Sequence, residues 1–200
     1  MRGLLVDFGG VLTTNVFESF RAFCTDEGLD PDAVKQLFRE RGEGLDLLRR
    51  LERGEVSQED FSPRFGALLG VRDVTDLPQR LFARVGPDEP MVEAVRRAKG
   101  AGIKTGLISN SWGDRGQYQD LDIFDGVVIS GDVGLNKPDP EIFHLGAERI
   151  GVPPQECVFV DDLKENCEGA EAVGMTAILH RGAESTLPEL ERLLGVTLAA

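Results

Sequence analysis

The stretch Gly3-Leu4-Leu5-Val6-Asp7-Phe8-Gly9-Gly10 constrains this chain most. Leu4 to Val6 is a short unbroken apolar run, the signature of a strand buried on both faces of a parallel sheet. It stops on an acid and meets two glycines, so Asp7 falls where the strand ends and the backbone turns sharply. A carboxylate there costs desolvation energy unless a cation or hydrogen bonds compensate. Taken alone, Asp7 reads most simply as a surface acid beginning a loop. Two later strands end in the same polar way, and that sets it apart.

From about Asn15 to Arg84 the periodicity turns helical. Phe17, Phe20, Phe23 and Cys24 form one stripe, Val34, Leu37 and Phe38 a second, Leu47, Leu48 and Leu51 a third. Pro31 marks a helix start, and Ser57-Gln58-Glu59-Asp60 has the form of a capping signal before Phe61 and Phe65. With no strand signal between them, these residues predict an all-helical insertion. Strand and helix patterns alternate again from Asp88. The expected strands are Ile103 to Ser109, Gly126 to Ser130, Val158 to Val160 ending on Asp161-Asp162, and Thr176 to Leu179. The expected helices include one after Asp88, a short polar one after Asn110, one from Asp139-Pro140, one through Cys167 and a terminal one from about Leu187 to Leu194. That alternation predicts an α/β fold with a parallel, helix-covered sheet, whose ligands bind beyond the carboxyl ends of the strands.

Charge and cysteine usage narrow the partners. A formal net charge of −13 argues against nucleic acid and against an anionic membrane surface. An anionic substrate must therefore be held by a local arrangement, against the overall field. The longest apolar runs are far too short to span a membrane, and the N-terminus runs from one Arg straight into the strand with no signal-peptide pattern. Cys24, Cys157 and Cys167 fit no ligand spacing and read as small core residues in a reducing cytoplasm. His144 and His180 stand too far apart in sequence to suggest a metal pair.

Four polar pieces collect on the carboxyl edge: Asp7, Ser109-Asn110, Lys137 and Asp161-Asp162. Each has an ordinary explanation. Asp161-Asp162 suits the start of a helix, Ser109-Asn110 an N-cap, and Lys137 a solvated surface. Together they place three acids and a lysine at one edge of a strongly acidic protein. Close carboxylates repel one another unless a cation sits among them, and oxygen ligands favour a hard divalent ion such as Mg²⁺. A carboxylate beside Mg²⁺, a lysine and a Ser/Asn pair is equipment for attack on phosphorus.

In order, Leu5-Val6-Asp7-Phe8-Gly9-Gly10-Val11-Leu12, Leu107-Ile108-Ser109-Asn110, Lys137-Pro138-Asp139 and Val158-Phe159-Val160-Asp161-Asp162 resemble the motifs of the haloacid dehalogenase-like (HAD) hydrolase superfamily. Leu51-Glu52-Arg53-Gly54-Glu55-Val56-Ser57 and Asn166-Cys167-Glu168-Gly169-Ala170 look like the branch containing the phosphatase domain of soluble epoxide hydrolases and small bacterial sugar-phosphate phosphatases. The resemblance implies a Rossmann-like core over 1–13 and 87–200, with a small helical cap over 14–86 inserted after the first strand and hinges near Thr14 and Gly86-Pro87. It implies Asp7 as the nucleophile, which takes the phosphoryl group of a small phosphorylated metabolite to form an aspartyl-phosphate. Ser109, Asn110 and Lys137 would bind the phosphoryl group. Asp7, the Gly9 carbonyl and Asp162 would hold Mg²⁺, with Asp161 in support.

Phosphatases of this superfamily usually carry a second Asp, the general acid and base, two residues after the nucleophile. Here that position is Gly9. A carbonyl ligand survives the change; the acid does not, and general acid catalysis is worth roughly 10²–10⁴-fold. Three functional classes follow: a Mg²⁺-dependent phosphatase with its acid supplied elsewhere, a 2-haloacid dehalogenase, or a binding or regulatory protein that kept the fold. Dehalogenase relatives lack the paired acids of the last motif, so Asp161-Asp162 favours the phosphatase. Glu43, Asp46 and Arg49 read equally well as pocket residues of the cap or as solvated helix faces, and Trp112 either lines the site or packs the following helix. Without the acid, esters with weakly basic leaving groups, such as aryl, acyl or anomeric sugar phosphates, are the expected substrates.

Overall fold

The apolar runs form strands at the expected places. The computed structural model describes residues 1–39, 42–110, 118 and 121–198. Strands β1 (Gly3–Val6), β2 (Lys104–Ser109), β3 (Gly126–Ile129), β4 (Cys157–Asp161) and β5 (Thr176–Leu179) make one parallel sheet in the order β3-β2-β1-β4-β5. The first strand of the chain is thus the central one. Its two-residue period splits the core: Leu4 and Val6, with Val158 and Val160, pack on one face, while Leu5, Cys157 and Phe159 pack on the other. Helices α6 (Glu89–Gly100) and α10 (Ala183–Leu194) cover the first face. Helices α8 (Pro140–Ile150) and α9 (Lys164–Ala172) cover the second. The four-residue α7 (Ser130–Val133) follows β3 directly, so that strand stops at Ile129, one residue short of expectation.

Between β1 and α6 the chain forms α1 (Val16–Asp26), α2 (Ala33–Arg39), α3 (Glu43–Glu52), α4 (Gln58–Leu69) and α5 (Leu77–Leu81). Their apolar stripes close on a core of their own, with Phe20, Phe23, Leu51, Phe61 and Phe65 buried and separate from the two sheet clusters. Local chemistry sets the boundaries. The Asn15 side chain accepts from Phe17 N at 2.9 Å, and Ser57 Oγ accepts from Asp60 N at 3.1 Å, as its capping signal predicts. The chain leaves and re-enters the sheet domain through a paired neck. Thr13 and Pro87 form an antiparallel bridge, Thr14 N donates to Gly86 O at 2.8 Å and Asp88 N to Leu12 O at 2.9 Å.

Two further expectations need adjustment. Helix α10 starts at Ala183 rather than Leu187; its first turn carries no apolar stripe and is anchored by buried Thr186, 2.9 Å from His180 Nδ1. The polar helix expected after Asn110 and Trp112 lie outside the described residues. All three cysteines are buried and unpaired. Among the described residues no helix is long and apolar enough to cross a membrane.

Candidate active site

Register explains why the polar residues meet. Val6 pairs with Leu107 on β2 and Val160 on β4, so Asp7, Ser109 and Asp161 emerge side by side where three parallel strands end. Asp7 N donates to Val160 O at 2.9 Å, which holds the first residue past β1 in line. Lys137 arrives from the loop before α8. Its Nζ lies 2.7 Å from both Asp7 Oδ1 and Asp161 Oδ2, with the lysine side chain 1% exposed. Burial would lower the Lys137 pKa, but Asp161 and Asp7 outweigh it and hold the ammonium above its ordinary value.

The two acids beside this lysine differ. Asp161 is fully buried and satisfied: Leu163 N donates to Oδ1 at 2.8 Å, and Asn166 Nδ2 lies 3.0 Å from Oδ1 and 3.1 Å from Oδ2. It fixes Lys137 from behind. Asp7 has one oxygen on Lys137 and sits on the cavity wall. Burial pushes its pKa up to about 7, Asp161 and Asp162 add to that, and Lys137 opposes it. Asp162 is pushed up to about 6, first by burial and then by Asp161. Its carboxylate crowds Gly10, where a Cβ would stand 2.6 Å from Asp162 Oδ2 and where φ is +77°. Only glycine fits there. Gly9 is different: its φ lies outside the left-handed region, and a Cβ would meet only Val16 Cγ2 at 3.4 Å.

Asp7, Asp161 and Asp162 each present an oxygen, all within 4.8 Å of one another. Lys137 neutralises one charge of three, and this excess of hard oxygen donors fits a divalent ion of the Mg²⁺ type. Because Asp161 is occupied by Lys137, Asn166 and an amide, Asp7 and Asp162 are the carboxylates open to a cation.

Ser109 and Asn110 close the other side. Tyr118 OH donates to Ser109 Oγ at 3.1 Å. Asn110 Oδ1 accepts from Lys137 N at 2.9 Å and Asn110 Nδ2 donates to Lys137 O at 3.2 Å, which locks β2 to the lysine loop. Asp7, Gly9, Ser109, Asn110, Lys137, Asp162 and Asn166 face one cavity of about 490 Å³. Its upper walls come from the helical insert: Phe17, Phe20, Phe38, Leu48 and Phe82. Of the two readings of Glu43, Asp46 and Arg49, the solvated helix face is the one found: they are exposed and do not line the cavity, on the solvent side of α3, whose apolar stripe faces inward. Glu52, at the end of that helix, reaches the cavity instead. Its Oε2 accepts from Asn136 Nδ2 at 3.0 Å and Asn110 Nδ2 at 3.4 Å, and its carbonyl accepts from Ser130 Oγ at 2.5 Å.

Sequence reasoning assigned no role to Glu52, Asn166 or Tyr118. Asn166 had a signal, standing five residues after Asp161 inside the next helix. Glu52 stood in the Leu51–Ser57 stretch that carries the resemblance, but nothing there pointed to a role; Tyr118 had no signal, since its partner is remote along the chain.

The chain belongs to the haloacid dehalogenase-like hydrolase family, whose model matches residues 1–174. It is 28% identical over 208 aligned residues to mouse acyl-CoA dehydrogenase family member 10, covering 98% of this chain and 19% of that protein. A sesquiterpene phosphatase of Aspergillus oryzae is 28% identical over 73% of this chain and 78% of its own length. Rat bifunctional epoxide hydrolase 2 is 30% identical over 61% of this chain and 24% of its own length, in keeping with the expected branch. The chain thus spans about a fifth to a quarter of two of these relatives. Among solved structures, a HAD family enzyme from Bacteroides thetaiotaomicron in complex with magnesium and inorganic phosphate superposes with a TM-score of 0.66. The identity is 20%, over 91% of this chain and 95% of the other, a likeness of fold.

Proposed function

We propose that this hydrolase is a Mg²⁺-dependent phosphatase of small phosphate monoesters, working through an aspartyl-phosphate on Asp7. One observation carries the reading: Asp7 stands on a cavity wall between a buried lysine 2.7 Å away and a neighbouring free carboxylate, Asp162. Asp7 attacks phosphorus, and Lys137, Ser109 and Asn110 hold the phosphoryl oxygens. Asp7, Asp162 and the Gly9 carbonyl would hold Mg²⁺, which supplies positive charge to those oxygens. Asp161 keeps Lys137 aimed. The helical insert, residues 14–86, acts as a cap that shuts water out, with the paired neck at Thr13-Thr14 and Gly86-Pro87 as its hinge.

The test is phosphate release with and without Mg²⁺. Activity is expected with Mg²⁺ and lost in excess EDTA. Asp162→Ala is expected to remove it while the circular dichroism spectrum is kept, because the apolar clusters do not involve Asp162. Full phosphate release in excess EDTA would overturn the assignment of Mg²⁺ to this site.

The cap walls narrow the substrate. Sugar hydroxyls buried against Phe17, Phe20, Phe38 and Phe82 would lose water without gaining partners, at about 1–3 kcal/mol for each unsatisfied group. Apolar or aryl groups gain from the same walls, so anomeric sugar phosphates drop from the expected set. Two primary alkyl esters with leaving groups of similar basicity isolate this effect. 2-(Naphthyl)ethyl phosphate is expected to exceed glucose 6-phosphate in kcat/KM by at least ~10-fold, roughly the worth of one buried ring face. Equal values would overturn the apolar assignment.

A further inference from the structure

Gly9 leaves the site without its usual proton carrier, and the cavity offers few replacements. Among the described residues four carboxylates line it: Asp7, Asp162, Glu52 and Glu89. Asp7 is the nucleophile of the proposed reaction, and Asp162 faces the cation position. Glu89 is exposed in the first turn of α6. Glu52 remains. It hangs from the C-terminal end of α3, over Asn110 and within the cap-side part of the cavity.

We propose that Glu52 is the general acid and base of this active site, taking from the cap the role that the residue at position 9 has given up. This rests on the phosphatase reading above. Three features of the geometry support it. First, both amide donors, Asn136 Nδ2 and Asn110 Nδ2, fall on Oε2, which leaves Oε1 without a partner among the described residues and so available to carry a proton. Second, Asn110 is also the residue clamped to the Lys137 main chain, and Lys137 Nζ touches Asp7, so Glu52 is linked to the nucleophile through two residues. Third, an ionised carboxylate beside a bound phosphoryl dianion would repel it, whereas a protonated one donates. Burial pushes the Glu52 pKa up to about 7, although Lys137, Arg49, the Asn136 hydrogen bond and Arg53 all oppose the rise. An acid near the operating pH serves both halves of a two-step transfer.

In the first step an Asp7 oxygen bonds to phosphorus while the ester P–O bond breaks. The electron pair goes to the leaving oxygen, which takes the proton from Glu52 and departs as an alcohol. In the second step the Glu52 carboxylate takes a proton from water as the water oxygen bonds to phosphorus. The P–O bond to Asp7 breaks, its electron pair returns to the carboxylate, and inorganic phosphate leaves with Glu52 protonated again.

Glu52→Gln tests this, because the amide oxygen can still accept from Asn136 and Asn110 while the titrating proton is gone. The substrates are 4-nitrophenyl phosphate, whose leaving group needs no proton, and 2-phenylethyl phosphate, whose leaving group does. Turnover of the alkyl ester is expected to fall by about 10²–10⁴-fold. The first turnover of the aryl ester is expected to stay within about a factor of 3 of wild type, as a burst of nitrophenol equal to the enzyme present. Its steady state then slows, and intact mass shows one phosphoryl group retained on the protein. Glu52→Asp, which keeps an acid on a shorter arm, is expected to lose less than Gln on the alkyl ester. Equal slowing of the aryl burst and the alkyl turnover would mean that Glu52 only positions Asn110, and the proposal falls. Unchanged rates for both esters overturn it equally. A wild type that hydrolyses neither ester with Mg²⁺ overturns the phosphatase reading, and this one with it.

Discussion

Asp7→Asn is expected to lower phosphate release by on the order of 10⁴–10⁶-fold, the range seen when a covalent nucleophile is removed. The amide cannot form the phosphoryl ester, and Asp162 and Lys137 alone cannot replace it. The same variant is expected to fold, and in the absence of metal to melt no lower than wild type at pH 8. The folded-state pKa of Asp7 is pushed above its unfolded value by burial, to about 7. The native state therefore binds more protons than the unfolded chain between about pH 4 and 7, and Asp7 ionisation drains stability as pH rises through that window. Asparagine removes this loss, and Lys137 keeps Asp161 as its partner. Wild-type stability, by denaturant titration, should fall from pH 5 to pH 8 more steeply than that of Asp7→Asn. With a fluoroberyllate analogue and Mg²⁺, the analogue should be found on the Asp7 carboxylate within reach of Lys137. An active Asp7→Asn protein, or an analogue seated elsewhere, would remove Asp7 from the chemistry.

Lys137→Met is expected to cost both activity and fold stability. The ammonium is buried with carboxylate oxygens at 2.7 Å on either side, and deleting it leaves two buried acids facing each other. Breaking a buried pair in this way costs about 3–5 kcal/mol. In a domain of this size that is roughly 10 °C in melting temperature. The loss should be greater at pH 8 than at pH 5, because Asp7 protonates at the lower pH and relieves the repulsion. Turnover should fall by about 10²–10³-fold or more, the worth of one donor aimed at developing negative charge. A variant that melts within a degree or two of wild type at pH 8 would show that the acids reorganise without the lysine. Excess Mg²⁺ should restore part of the stability and little of the rate.

Much of this protein was legible in its sequence. Leu4-Leu5-Val6 is a run that only a strand covered on both faces accommodates, and it proved to be the centre of the sheet. Asp7, Ser109, Lys137 and Asp161 were legible because parallel strands place all their carboxyl ends on one edge. The helical insert was legible from its stripes and from Ser57, whose capping is local chemistry. Residues near one another in sequence, or bound by strand and helix period, carry their structure in the pattern itself.

Other features depend on which remote atoms arrive together. Gly9 and Gly10 look alike in sequence, yet a Cβ at Gly10 would strike Asp162, one residue past β4, while Gly9 has room. Asp161 and Asp162 are adjacent and chemically identical, but β4 turns one into the buried clamp of Lys137 and leaves the other open to the cation position. Glu43, Asp46 and Glu52 are three acids of one helix, and the packing of α3 sends only Glu52 into the cavity. The sequence by itself determined the α/β architecture, the motif order and the edge at which chemistry collects, because periodicity and strand polarity are short-range properties. Tertiary structure alone decided the division of labour among the acids and the apolar character of the cap pocket, because burial, contact and charge coupling belong to distances in space.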